Sequence, residues 1–242
     1  MPGYDTHIRT LDIGGHAYRI RSLVDPQQFS DPDHAAERLG ISSAQWSLFG
    51  HVWPCGRLLA ETVAEYDIAG RRILEVGCGL GLASLVLHRR GADVTASDCH
   101  PLAEVFLAYN AALNALPAVR YRMLPWGVGN DALGRFDLII GSDVLYERGQ
   151  AELLAALLQR HAQPACEVLI ADPGRGNGGA FTRALAAQGF IGSEARGRLD
   201  DELPPYRGRL LRYVRAVASG SSAVAVDAEA ANAADAVAEA LA

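Results

Sequence analysis

The residues Ile73-Leu74-Glu75-Val76-Gly77-Cys78-Gly79-Leu80-Gly81 form a short apolar run that breaks into alternating glycines. Glycines at such a junction let the backbone turn tightly and leave room for a ligand against it. Seventeen residues past Gly81, the stretch Val94-Thr95-Ala96-Ser97 closes on Asp98. An acid ending the second strand of a nucleotide-type fold is where ribose hydroxyls are held. The combination points to an adenosine-containing cofactor. It is not the G-x-G-x-x-G of dinucleotide oxidoreductases, because Leu82 stands where the third glycine would be. Glu75 supplies a second distinction: its carboxylate would repel a diphosphate but suits a cofactor bearing a sulfonium and an α-amine. The motif therefore favours S-adenosylmethionine over NAD, with a glycine-rich turn in an unrelated α/β protein as the plain alternative.

These residues need elements to position them. From Ile73 onward, strand patterns at 73–76, 93–97, 119–123, 136–142, 166–171, 189–194 and 209–216 are separated by helical patterns at 82–90, 101–115, 149–161 and 178–188. That alternation marks parallel βαβ units with helices on both faces. The last strand is preceded only by the loop Arg198 to Arg207, so the final pair is expected to be antiparallel. The fold class is α/β: a Rossmann-like seven-stranded methyltransferase sheet, mostly parallel with an antiparallel last strand. Upstream, His7 to Asp25 alternates around Gly14-Gly15 and reads as a β-hairpin outside the main sheet. Asp31 is placed to cap a short helix over Pro32 to Leu39, and Pro54 to open one running to about Tyr66. The expected division is an N-terminal extension over 1–44, a catalytic domain over 45–217 and a flexible Ala-rich acidic tail over 218–242.

Composition narrows the function classes. At 242 residues the chain has ample length for a buried core. A net charge of −6 argues against broad binding to nucleic acid or anionic membrane. Four scattered cysteines, Cys55, Cys78, Cys99 and Cys166, form no CxxC pair, so no metal site or disulfide framework is expected. With no apolar run of membrane-spanning length and no signal-peptide core, a cytoplasmic protein is expected. All 22 basic residues are arginines; the sequence contains no lysine, which excludes automethylation at lysine.

At Trp53-Pro54-Cys55-Gly56, Glu75 to Gly81, Asp98, Leu124-Pro125-Trp126-Gly127 and Phe136 to Tyr146, the sequence resembles the class I seven-β-strand protein-lysine methyltransferases. The same segments resemble nicotinamide-type N-methyltransferases. Leu169-Ile170-Ala171-Asp172-Pro173-Gly174-Arg175 is similar to the branch that methylates the β-subunit of electron transfer flavoprotein. The resemblance implies that Gly77, Gly79 and Gly81 lie under the methionine half of the cofactor and that Asp98 takes the ribose hydroxyls. It also implies that Trp126 lies against adenine, Ser142 lines the pocket and Trp53 closes over it. The family often has an acid just before that tryptophan; here Pro125 occupies the position.

The catalytic candidates are Asp143 and Tyr146, at the carboxyl end of the fourth strand of the alternating series, where open α/β sheets place ligands. The Asn/Asp-Pro-Pro-Tyr of nucleic-acid and glutamine amino-methylating enzymes is absent. A lysine arrives as an ammonium, so its site needs a carboxylate to attract it and an acceptor to align it after deprotonation. Asp143 and Tyr146 suit those two jobs, while Glu147 and Asp172 add negative field and Arg175 joins them as a substrate candidate. Methyl transfer from a sulfonium needs donor and amine held close, aligned and dry rather than a strong base, so no histidine is recruited. The expected partner is a protein substrate, with electron transfer flavoprotein β-subunit or a ribosomal or translation protein as the target class. The alternatives are a small-molecule N-methyltransferase, a non-catalytic cofactor-binding interaction protein and, remotely, an NAD-linked oxidoreductase.

Overall fold

The computed structural model describes residues 3–127, 131–147 and 149–216. The expected tail over 218–242 lies outside the described residues. The chain opens with β1 (Thr6–Ile13) and β2 (His16–Leu23), an antiparallel hairpin forming its own two-stranded sheet. Short helices α1 (Ala35–Arg38) and α2 (Ser43–Trp46) follow, then a 3-10 turn over Ser47–Gly50. Asp31 does hold the start of α1, its two carboxylate oxygens accepting the backbone N–H groups of Ala36 and Glu37, but the helix is shorter than the expected Pro32 to Leu39 and has His34 at its N-cap position. Helix α2 was not anticipated, and the expected division at 44/45 falls inside it. Its start is fixed by a capping box between Ser42 and Gln45.

Helix α3 (Pro54–Glu65) has proline in its first turn and leads into the main sheet. There follow β3 (Arg72–Val76), α4 (Leu82–Arg89), β4 (Asp93–Asp98), α5 (Ala103–Leu113), β5 (Arg120–Met123) and β6 (Phe136–Ser142). The chain then forms α6 (Gln150–His161), β7 (Ala162–Asp172), α7 (Gly178–Ala187), β8 (Ile191–Leu199) and β9 (Tyr206–Arg215). The strand order is β5-β4-β3-β6-β7-β9-β8, with β9 antiparallel to both neighbours and β3 to β7 mutually parallel. The expected seven-stranded sheet with an antiparallel last strand is thus present. Three strands run longer than expected: β7 begins at Ala162, directly after α6, and β8 and β9 extend to Leu199 and back to Tyr206. The β8 and β9 extensions are arginine- and glycine-rich hairpin with little apolar alternation to read, and the start of β7 is the short stretch Ala162-Gln163-Pro164-Ala165.

Central strands are buried on both faces, and alternation along β3 divides the core. Ile73 joins the cluster under α3, α4 and the hairpin, whereas Leu74 and Val76 join the cluster under α6 and α7. Glu75 shares the face of Ile73 and so meets α4.

The hairpin is attached through α5. Asn110 and Asn114, one helical turn apart, treat the edge of β2 as a strand partner would. Asn110 Oδ1 accepts the Arg21 N–H and Asn114 Oδ1 the Arg19 N–H, each at 2.8 Å. The Asn114 amide donates back to the Arg19 carbonyl at 2.8 Å. Asn110, fully buried, also donates to the Leu80 carbonyl at 3.2 Å, linking the hairpin to the glycine loop. Replacing Asn110 by Asp removes that donor and sets a carboxylate against carbonyl oxygens. A loss of roughly 2–4 kcal/mol is expected by chemical denaturation. Asn114→Asp, at a more exposed site, is expected to cost about 1 kcal/mol or less.

Candidate active site

The carboxyl ends of β3, β4, β6 and β7 converge with the start of α3. The loop after β3 holds Gly77, Gly79 and Gly81 at φ of 62, 51 and 77°, a region only glycine enters without cost. The reason for glycine differs along the loop. A Cβ on Gly79 would lie 2.7 Å from the Phe49 carbonyl oxygen, and one on Gly81 would lie 2.2 Å from Leu107 Cδ1. Those two are required by packing against the protein. A Cβ on Gly77 would lie 2.9 Å from Val144 and 4.0 Å from the Trp126 ring. Gly77 therefore keeps open the space between the loop, Trp126 and the segment carrying Asp143.

Asp98 ties the second strand to this loop. Its Oδ2 accepts the Gly79 N–H and its Oδ1 the His100 N–H, both at 2.8 Å. Burial raises its pKa, with the backbone donors opposing the shift. Each oxygen keeps a lone pair for a vicinal diol. His100 is held by its surroundings: it stacks on Phe49 at 3.7 Å, and burial pushes its pKa down to about 4, so it is a neutral packing group.

Glu75 sits differently from its expected place facing the cofactor. Gly81, at the N-cap of α4, has no side chain to cap the helix, and Glu75 Oε2 accepts the Ser84 N–H at 2.9 Å together with the Ser84 hydroxyl. Burial pushes its pKa up to about 7, the Ser84 bonds opposing and the charge of Asp98 assisting. Because the folded chain holds this proton more tightly than the unfolded one, Glu75 stabilises the fold fully below its ordinary value of 4.5. That contribution is lost as pH rises to about 7. Relative to Glu75→Gln, the wild type is expected to lose on the order of 3 kcal/mol across that window in denaturation titrations.

The remaining candidate residues are carried by the ends of β6, β7 and β9 and the loops beside them. Ser142 is half-buried, and a Cβ on Gly56 of α3 would come 3.4 Å from its hydroxyl. Asp143 adopts a left-handed φ of 50°, which aspartate tolerates better than most residues, and its N–H donates to the Ala171 carbonyl at 2.9 Å. Its carboxylate is not free: Arg175 donates to both oxygens, at 3.0 and 2.9 Å. Asp172 is also taken. It lies directly opposite Arg209 in the β7–β9 register and pairs with that guanidinium, so it neutralises Arg209 rather than adding negative field. Glu147 is exposed and accepts the Gln45 amide, joining α2 to the loop after β6. Tyr146 is 39% exposed, and burial of its remainder raises its pKa, leaving a neutral phenol. Cys55, beside Asp143, is pushed to about 12 by burial and is an inert thiol.

Trp53 caps α3, and its indole N–H donates to the Leu48 carbonyl at 2.8 Å. The structure thus brings Gly77 against Val144, the residue after Asp143, and beside Trp126, with Asp98 bonded to the same glycine loop and Ser142 facing α3. The partners missing from the sequence reading are Ser84, Arg209, Gln45 and Asn110. Only Asn110 left a trace, as a poor helix former repeated one turn later in an otherwise apolar helix. Among the described residues no group of three or more His, Cys, Asp or Glu could hold a metal ion, and no helix is long and apolar enough to cross a membrane. A recess of about 470 Å³ lies at the opposite edge of the sheet, where Asp93 is paired with Arg120.

The residues around the glycine loop fit an S-adenosyl group. A carboxylate stands ready for a diol, a positive-φ glycine clears space beside an indole, and a buried acid lies behind the loop. Residues 37–180 match the model of a family described as lysine methyltransferase. The chain is 28% identical over 187 residues to EEF1A lysine methyltransferase 3 of Mus musculus, spanning 75% of this chain and 78% of the relative. It is 34% identical over 137 residues to the electron transfer flavoprotein beta subunit lysine methyltransferase of Danio rerio, spanning 54% of this chain and 50% of that protein. The match to the flavoprotein enzyme thus covers only about half of its length. Among solved structures, magnesium protoporphyrin IX methyltransferase from Synechocystis PCC 6803 with bound S-adenosylmethionine shares the fold. Its TM-score is 0.52 at 20% identity, covering 67% of this chain and 78% of the other.

Proposed function

The chain belongs to the lysine methyltransferase family and is an S-adenosylmethionine-dependent methyltransferase, and from that premise we propose that it methylates a lysine side chain of a protein at the Asp143–Tyr146 end of the cleft. The observation that carries the acceptor site is Asp143. It directly follows β6, held at a left-handed φ by a backbone bond to β7, with a mostly buried side chain reaching a half-exposed arginine.

S-adenosylmethionine, when bound, supplies an electrophilic methyl on a sulfonium, which is a good leaving group. The chain's residues then have holding work to do. Gly77, Gly79 and Gly81 seat the methionine half, Asp98 accepts from the ribose hydroxyls, and Trp126 and Ser142 line the pocket. Trp53, fixed by its bond to Leu48, covers one side. Asp143 draws the ammonium in and orients it, and the Tyr146 phenol accepts from the amine once its proton has left to water. With donor and acceptor so held, these residues would keep the amine's nitrogen lone pair facing the methyl group that the cofactor would supply. Neither carboxylate nor phenol needs to act as a strong base.

The target class proposed is electron transfer flavoprotein β-subunit or a translation protein, supported by the relatives' substrates. Incubating the enzyme with labelled S-adenosylmethionine and native lysate tests the acceptor. Label is expected in acid-precipitable protein, as N-methyllysine. Label confined to small metabolites would instead identify a small-molecule N-methyltransferase, and no label in any fraction would point to a cofactor-binding protein without turnover.

A further inference from the structure

Arg175 stands between Gly174 and Gly176, both in the left-handed region at φ of 94 and 97°. A Cβ at Gly176 would meet nothing within 4 Å, so this side of the segment borders open space. The guanidinium grips Asp143 through two parallel bonds at 3.0 and 2.9 Å, yet half of the arginine side chain is exposed while Asp143 is 15% exposed. The neighbouring carboxylate offers no second home, because Asp172 is committed to Arg209.

This arrangement creates a charge problem for any cationic acceptor. An ammonium that approaches Asp143 finds its carboxylate already neutralised by a bidentate guanidinium. It must either share the carboxylate through the remaining lone pairs or displace a guanidinium bond, and displacement is favoured because two cations on one small carboxylate repel each other. The displaced guanidinium then needs a new partner. Water serves, because the side chain is exposed, but a carboxylate on the incoming molecule serves better. A basic neighbour would meet the freed arginine as a like charge.

Resting on the reading of Asp143 as the ammonium's partner, we propose that Arg175 determines acceptor specificity, selecting a lysine with an acidic side chain close beside it. As the ammonium takes its place on Asp143, the guanidinium passes to the acceptor's carboxylate, so neither Asp143 nor Arg175 is left without a partner. Neutral-flanked lysines lose that exchange, and basic-flanked lysines are worst. No bond other than hydrogen bonds is made or broken in the exchange.

The test compares the full chain with Arg175→Gln and Arg175→Lys on lysine peptides whose flanks are acidic, neutral or basic, using labelled S-adenosylmethionine. The wild type is expected to prefer acidic over basic flanks by roughly ten-fold or more. Arg175→Gln should bring that ratio close to one, and Arg175→Lys should keep part of it, since charge survives but the fork is lost. Thermal unfolding of each variant separates this from misfolding. Equal ratios in wild type and Arg175→Gln, or a wild-type preference for neutral or basic flanks, overturn the inference while leaving lysine as acceptor. If no lysine peptide accepts a methyl although the cofactor binds by calorimetry, the lysine reading fails and takes this inference with it.

Discussion

Asp143→Asn is expected to lower methyl transfer by roughly 10²–10³-fold while leaving S-adenosylmethionine affinity within about two-fold. Asparagine is nearly isosteric and enters the left-handed region as readily as aspartate, so the φ of 50° and the bond to Ala171 survive. What is lost is the negative charge that draws the ammonium in. Arg175 keeps a neutral oxygen to donate to, so the segment stays in place. Initial rates at saturating cofactor, with calorimetry of cofactor binding alongside, separate the two quantities. A variant that lost cofactor affinity and transfer equally would place Asp143 in the cofactor's shell instead.

The second large effect is expected at Gly79. Alanine there must hold a φ of 51° and place its Cβ 2.7 Å from the backbone oxygen of Phe49, which cannot swing aside as a side chain can. The left-handed cost alone is about 1–2 kcal/mol. Relief of the contact must move the loop, and with it the Gly79 N–H that fixes Asp98. Cofactor affinity should fall by roughly 10²-fold or more, with a stability loss of about 2–4 kcal/mol. Gly77→Ala offers a contrast, since its Cβ would meet the flexible Val144 side chain beside Trp126. Its effect should fall more on affinity than on stability. Calorimetry and denaturation of both variants test the distinction between a glycine kept for packing and one kept for the cleft.

Much of the fold was legible because it is written in local pattern. The buried strand Arg72–Val76, the glycines after it and the fully buried first turns of Leu82–Arg89 are contiguous and need no knowledge of what lies across the sheet. The acid ending Asp93–Asp98 was legible for the same reason. What the pattern hid was the choice of partner. Asp143 and Arg175 are 32 residues apart, and Asp172 and Arg209 are 37 apart. Each pair meets only because strand register or a crossover brings it together. With 22 arginines and 28 acids in the chain, nothing local tells which acid is neutralised. Glu75 shows the same limit from another side. Its position two residues before the loop suggested a cofactor contact, yet the absence of a side chain on Gly81 makes it the cap that α4 otherwise lacks.

Asp172 balances Arg209, whereas Glu147, bonded to the neutral Gln45 amide, keeps its charge. In the proposed reading an ammonium is recognised by Asp143 and by what Arg175 does when one arrives. The central claim is therefore that transfer goes to a protein lysine and depends on the Asp143 carboxylate. The most direct measurement is mass spectrometry of a lysate protein labelled by the wild-type chain, beside the same lysate treated with Asp143→Asn at equal cofactor occupancy. Methylated lysine in the wild-type sample and none above background with the variant is the predicted result. Equal lysine methylation by both would contradict it.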